Sequence, residues 1–158
     1  MKTATTAAVL LAATAYASAA DRGLVGAWRF EKEVDTLADG TEVAPGPAAG
    51  YQGMLVITAG GRFVGSIVPR GRQWRLDTVP VDELRHSLSA TDAFFGTYRL
   101  DTKAKTFTYH PEGSLDPSIE NTDQVRGYRL SGDVLVLTGD WEYEGTKRHF
   151  EITWKRME

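Results

Sequence analysis

The stretch YHPEGSLDP at residues 109–117 combines a histidine, a glutamate, a serine and an aspartate, all of which occur in catalytic sites. A histidine titrates near neutral pH, and a neighbouring carboxylate can balance its charge. Two prolines and a glycine punctuate the same stretch, as is typical of a turn. The stretch therefore fits either a polar site at the end of a strand or a hydrated turn.

The segment that follows supplies a cation for the same chemistry. Side chains two residues apart share one face of a β-strand, so Gln124, Arg126 and Tyr128 point the same way. If that face points inward, Arg126 needs a carboxylate or several hydrogen-bond acceptors, and Glu112 is a candidate partner. We predict that His110, Arg126 and Glu112 form a catalytic group. Such a group would bind an enolate, a phenolate or a carboxylate and move a proton near neutral pH.

A structural interpretation of the same residues stays open. A histidine on a strand is more often a structural or surface residue than a catalyst. Arg126 and Arg129 alternate on one strand, so one of them faces water. Asp116 is an alternative partner for Arg126 if a turn brings it round. The orientation of His110 therefore distinguishes a site from a turn.

Other classes of catalytic site find little support. The histidines, His86, His110 and His149, are scattered without metal-ligand spacing, and the chain has no cysteine. No serine lies in a G-x-S-x-G motif. Gly60-Gly61 precedes a strand-like run and therefore indicates a hairpin turn, not a phosphate-binding loop. We expect neither a metal nor another cofactor.

Short alternating apolar runs, separated by glycine and charged turns, predict the elements that would position these residues. Such runs are typical of about eight β-strands linked by tight turns. They lie at residues 24–34, 51–68, 95–111, 122–139 and 147–156, and the middle three each contain a turn.

One segment departs from this rhythm. Apolar residues at roughly helical spacing predict a helix within 81–94, after Pro80 and between the third and fourth strands. The stretch 36–50, with two prolines and several small residues, predicts a long loop. An all-β, eight-stranded antiparallel up-and-down barrel closes this set of strands most economically, because closure removes exposed edges. A sandwich of two sheets is the alternative.

Several motifs resemble those of a known family. Gly26-Ala27-Trp28 looks like the G-x-W signature of lipocalins, and 152–156 (ITWKR) ends with a basic residue of the kind that packs over that tryptophan. Further motifs resemble the small lipocalin-like domain proteins of bacteria and fungi. They lie at 51–63 (YQGMLVITAGGRF), 95–98 (FGTY), 108–117 (TYHPEGSLDP), 124–126 (QVR) and 130–137 (LSGDVLVL). Asp116 and the stretch 119–121 depart from the family pattern.

The resemblance implies a calycin-type barrel that binds a small, mostly apolar ligand, such as an aromatic, polyketide or terpenoid-like molecule. Trp28, Tyr98, Gln124 and Tyr128 are the candidate ligand-binding residues. A cofactor-independent isomerase or cyclase of secondary metabolism, working in the same cavity, is the alternative. A structural or interaction barrel whose interior is filled by side chains is the third interpretation.

The first twenty residues resemble a secretory signal peptide. Lys2 is followed by an alanine-rich apolar run that ends in small residues, and cleavage after Ala19 or Ala20 fits them. The domain would then span residues 21–158 and carry 17 basic and 21 acidic residues. This acidic balance does not favour nucleic-acid binding. We expect an exported protein, periplasmic or extracellular, that is a monomer or weak homodimer and does not insert into a membrane after cleavage.

Overall fold

A computed structural model describes residues 23–43, 50–143 and 145–157. The predicted signal peptide at 1–20 lies outside the described residues. The strands are β1 (Gly26–Leu37), β2 (Glu42–Val43), β3 (Tyr51–Ile57), β4 (Arg62–Pro69), β5 (Asp92–Asp101), β6 (Thr106–Ser114), β7 (Gln124–Ser131), β8 (Val134–Tyr143) and β9 (Thr146–Arg156). The helix α1 spans Val81–Ser89, and a short 3₁₀ turn spans Pro117–Ile119.

The strands form one antiparallel sheet that closes on itself. From β3 to β9 each strand pairs with the next, and β1 pairs with both β3 and β9. The predicted all-β, closed eight-stranded barrel with one helix is therefore confirmed, and the sandwich is not formed. No helix in the described ranges is long and apolar enough to cross a membrane.

The position of the helix differs slightly from the prediction. It lies between β4 and β5, not between the third and fourth strands. The difference arises from β2, a two-residue strand within the predicted loop at 36–50, which pairs with the end of β1 through Asp35↔Val43 and Thr36↔Glu42. So short a strand has no alternation of its own and leaves no period-2 pattern in the sequence.

A β-bulge in β1 changes which of its side chains face the barrel interior. Phe30 pairs with Trp154 of β9, but the next pair is Lys32 with Thr153, so Glu31 is the extra residue. Before the bulge the even positions are buried; after it the inward positions are odd, so Glu33 is partly buried and Asp35 fully buried. Two acidic residues thereby enter a largely apolar interior.

The G-x-W motif closes one end of the barrel around Trp28, which is completely buried. Its indole nitrogen donates a hydrogen bond to the carbonyl oxygen of Leu24 at 2.9 Å. The guanidinium of Arg156 lies 4.1 Å from the indole ring and donates hydrogen bonds to the carbonyl oxygens of Val25 and Gly23. The predicted packing of a basic residue over this tryptophan is confirmed.

Gly26 makes this arrangement sterically possible. Its φ of +144° lies in a region of backbone conformation that residues other than glycine rarely adopt. A Cβ atom here would lie 2.7 Å from Nη1 of Arg156. The first residue of the motif is therefore a glycine because the guanidinium occupies the space of a side chain.

Arg156→Lys is expected to lower the free energy of unfolding by about 1–3 kcal/mol, because an ammonium group cannot stack on the indole ring and donate to both carbonyls. Arg29→Lys is the matched control on β1, since Arg29 is exposed and pairs with Glu31 at the surface. Its effect should stay below about 0.5 kcal/mol. Urea denaturation measures both, and equal losses would contradict the structural role of Arg156.

Candidate functional site

The barrel encloses a cavity of about 610 Å³. Its interior is therefore not filled by side chains, contrary to the third interpretation of the sequence. Aliphatic residues and glycine contribute to the wall, and α1 adds His86 and Ser89. Eight aromatic side chains line it: Tyr51, Phe63, Phe94, Phe107, Tyr109, Trp141, Phe150 and Trp154.

The aromatic wall is tightly packed on the side of β4, β5 and β6. The rings of Phe94 and Tyr109 are stacked, with centroids 5.4 Å apart and planes inclined by 19°. Phe63 meets Tyr109 edge-on at 5.3 Å. Such mutual contacts hold the rings in place and leave a flat apolar surface toward the cavity.

Arg126 of β7 lies next to this packed side of the wall. Its Nη2 donates a hydrogen bond to the hydroxyl of Tyr109 at 3.2 Å, and its guanidinium lies over the rings of Tyr109 and Phe150 at 5.4 and 5.2 Å. Gln124 supplies a weak acceptor at 3.5 Å. No described carboxylate lies within 4.0 Å of its nitrogen atoms. Aromatic faces and neutral acceptors therefore hold a positive charge beside the cavity.

Gly139 of β8 provides the space that this arginine occupies. A Cβ atom there would lie 2.9 Å from Cδ of Arg126 and 2.8 Å from the Phe150 ring. Any larger residue would push one of these side chains away. The absence of a side chain at Gly139 thus positions the stem of Arg126 against Phe150.

Two acidic side chains face the same cavity, Glu33 from β1 and Asp92 from β5. Burial raises the pKa of Glu33 to about 7, and the charges of Asp35 and Asp92 add to this effect. Burial also raises the pKa of Asp92, which the charge of Arg126 partly counteracts. Asp92 projects into the cavity, where water reaches it although protein surrounds it. Neither carboxyl forms a hydrogen bond or an ion pair with a described residue.

A third carboxyl, that of Asp35, lies behind the wall. Nη1 of Arg148 approaches its Oδ2 at 3.4 Å, and the indole of Trp141 also donates a hydrogen bond to it. Burial raises the pKa of Asp35, while these hydrogen bonds lower it in part. Arg148 lies 5.7 Å from the Trp141 ring, and both residues line the cavity. Asp35 therefore orients two side chains of the cavity wall.

The structure does not bring His110, Glu112 and Arg126 together. His110 is on the outer face of β6, where its Nδ1 lies 3.0 Å from Oδ1 of Asp123. Glu112, also on the outer face, forms an ion pair with Arg62 at 2.6 Å. Because Phe107 and Tyr109 fill the inner face of β6, alternation turns His110 and Glu112 outward. Only Arg126 of the predicted catalytic group reaches the cavity.

The four predicted ligand-binding residues lie around the cavity but are not part of its described wall. Trp28 lies at the closed end, and Tyr128 is buried in the core on the same face as Arg126. Tyr98 stacks on Phe107 at 5.3 Å and donates a hydrogen bond to the carbonyl oxygen of Thr58. Gln124 bonds to the hydroxyl of Thr122 and to Arg126. Gln124 and Tyr98 thus support residues that do line the cavity.

Three charged wall residues were not predicted from the sequence. Glu33 escapes simple alternation because of the bulge, and Asp92 falls inside the stretch predicted as helical. The inward orientation of Arg148 could have been predicted, because it shares a strand face with the apolar residues Phe150 and Trp154. Within the described residues, no three His, Asp or Glu side chains form a group that could hold a metal ion.

Comparison with known proteins identifies one family. A family model described as a lipocalin-like domain matches residues 25–157. Searches of curated proteins and of solved structures found no match to this chain. The matched range covers every described strand and all the charged residues of the cavity wall.

The pKa of Glu33 has a consequence for stability. A carboxyl whose pKa rises on folding holds its proton longer in the folded than in the unfolded state, so stability falls as pH rises from about 4.5 to about 7. Glu33→Gln removes this loss. Between pH 4.5 and pH 8, the free energy of unfolding of the variant should therefore fall less than that of the unmodified protein, by up to roughly 3 kcal/mol.

The outward neighbour Glu31 provides the matched control. Glu31→Gln removes only an exposed ion pair with Arg29, so the pH dependence of stability should stay nearly the same as in the unmodified protein. Urea denaturation at both pH values measures the difference. If both variants shift the pH dependence equally, Glu33 does not carry the raised pKa.

Proposed function

Because the chain belongs to the lipocalin-like domain family, we propose that it binds a small, mostly apolar molecule in its cavity and holds one anionic oxygen of that molecule at Arg126. The lipocalin-like barrel itself suggests small-ligand binding. Aromatic, polyketide and terpenoid-like molecules are the ligand classes that suit the cavity best, since they combine a large apolar surface with a few oxygen atoms.

The size and lining of the cavity support this proposal. Ligand pockets typically measure about 300–1,000 Å³ and combine apolar walls with a few polar groups. The cavity of about 610 Å³ lies in this range, and aromatic rings dominate its wall. A planar molecule would gain stacking contacts with the Phe94–Tyr109 pair in addition to the burial of apolar surface.

The single observation that carries the proposal is the environment of Arg126. A partly buried cation without an ion-pair partner is costly, and a ligand carboxylate, phenolate or enolate would supply the missing charge. A guanidinium can bind such a group through two parallel hydrogen bonds. Burial raises the pKa of the Tyr109 hydroxyl, so this group keeps its proton and can donate a hydrogen bond to the same oxygen.

A cofactor-independent isomerase or cyclase is a second candidate, favoured by the carboxyl of Glu33 in the same cavity. The cavity would then fold a reactive molecule while charged side chains steer protons. Both functions require the same binding step at Arg126. They differ in whether the ligand leaves unchanged.

We also propose that the chain is exported, with residues 1–20 removed as a signal peptide. The family match begins at residue 25, which leaves the proposed signal peptide outside the domain. A protein without cysteines needs no disulfide formation after export. The exported form would be a monomer or weak homodimer that partners with a small hydrophobic molecule and with no nucleic acid.

Arg126→Met should weaken binding of 2-naphthoate at least about tenfold, because it removes the charge but keeps an unbranched side chain. The matched control is Arg129→Met on the same strand, since Arg129 points outward and pairs with Glu151. Equilibrium dialysis with 2-naphthoate and with uncharged 2-methylnaphthalene measures the effect. Equal weakening for both ligands, or for both variants, would contradict an anion-binding role.

Expression of the full chain in a bacterial host should yield an exported form whose sequence begins after Ala19 or Ala20. A double change of Leu10 and Leu11 to aspartate should abolish export, because it interrupts the apolar run that the secretion machinery recognises. The control exchanges both leucines for isoleucine. N-terminal sequencing and cell fractionation provide the measurement, and an exported form that retains residues 1–20 would refute the assignment.

A further inference from the structure

Acidic and basic side chains from four strands line the cavity; Arg148 on β9 is paired with Asp35, and the other three have no ion-pair partner among the described residues. Glu33 lies on β1, Asp92 on β5 and Arg126 on β7. In the closed sheet, β1 and β7 are three strands apart through β9 and β8, and β1 and β5 are three strands apart through β3 and β4. In an eight-stranded barrel such positions lie nearly opposite each other. Glu33 and Arg126 therefore approach a molecule in the cavity from opposite sides.

The charges of Glu33 and Arg126 are not balanced by an ion pair within the described residues. Neither forms an ion pair with a described residue, although both lie in a largely apolar cavity. Several charged residues on the outer surface of the barrel are paired, among them Arg62 with Glu112, Arg129 with Glu151 and Arg99 with Asp123. Unpaired titratable groups in a cavity are typical of sites that act on a ligand.

We propose that Glu33 is a catalytic base that removes a proton from the carbon next to a ligand carbonyl, while Arg126 binds the carbonyl oxygen. This proposal rests on the proposed function, because the ligand must first bind with its oxygen at Arg126. The substrate class is an apolar ketone with acidic hydrogens on the adjacent carbon. The reaction class is enolisation, followed by return of the proton to the same or a conjugated carbon.

The step balances without a cofactor. The Glu33 carboxylate accepts the proton, and the electron pair of the broken C–H bond forms the C=C bond of an enolate. The negative charge moves to the oxygen, where the guanidinium of Arg126 and the hydroxyl of Tyr109 stabilise it. The protonated Glu33 then returns the proton to carbon, so the product is an isomer of the substrate and nothing is oxidised or reduced.

The neighbouring groups suit a base of this kind. Asp92 and Asp35 place negative charge near Glu33, which strengthens it as a base, and the apolar wall limits its hydration. A general base works best when its pKa lies near the working pH. His86 of α1 also lines the cavity and is exposed to solvent, so the cavity is open to bulk water on the side of this helix.

The test uses 2-tetralone, an apolar aromatic ketone with acidic hydrogens at C1, and the purified protein in D₂O. Proton NMR measures how fast deuterium replaces the C1 hydrogens, and equilibrium dialysis measures binding separately. The protein should accelerate exchange on the order of 100-fold over buffer at the same pD. Glu33→Gln should remove the acceleration while its dissociation constant for 2-tetralone changes less than about threefold.

Glu31→Gln is the matched control on the outward face of the same strand, and it should exchange as fast as the unmodified protein. Retained binding of 2-tetralone by Glu33→Gln shows that this variant is folded. Binding without acceleration, or full acceleration by Glu33→Gln, overturns the catalytic role and leaves ligand binding intact. Binding of 2-naphthoate but not of 2-tetralone also overturns it. Failure to bind either compound overturns the proposed function and the catalytic role together.

Discussion

The pairing of β1 with β9 is the constraint on which the other features of this protein depend. It closes the sheet, so that the inner faces of eight strands surround one space instead of lying open to water. The bulge at Glu31 lies within this same pairing. One ladder of hydrogen bonds thus creates the cavity and also turns two carboxyl groups toward its interior.

The two ends of β1 have different physical roles as a result. Before the bulge, Trp28 and Phe30 contribute large apolar side chains, and Arg156 seals the end through stacking and carbonyl contacts. After the bulge, Glu33 and Asp35 bring acidic groups into surroundings of low polarity. The apolar end supplies stability from burial, and this stability offsets the cost of holding charged groups at the other end.

Much of the fold is visible in the sequence, because alternation and glycine turns are local signals. The eight strands, the helix and the contact between Trp28 and the last basic residue follow from such signals or from the family resemblance. The outward orientation of His110 could also have been predicted from the sequence, because Phe107 and Tyr109 on the opposite face are better candidates for the interior. The inward orientation of Glu33 could not be predicted, because the bulge that causes it depends on the register with a strand more than a hundred residues away. Helical periodicity that continues past Ser89 concealed Asp92 in the same way.

Gly139 has a consequence for how such a barrel diversifies. The residue does not line the cavity, yet its missing side chain leaves the room in which the arginine stem and the Phe150 ring lie. A single added methyl group would displace at least one of them and change the shape of the cavity. A substitution at this one position of β8 can therefore alter the cavity while every residue that lines it stays the same.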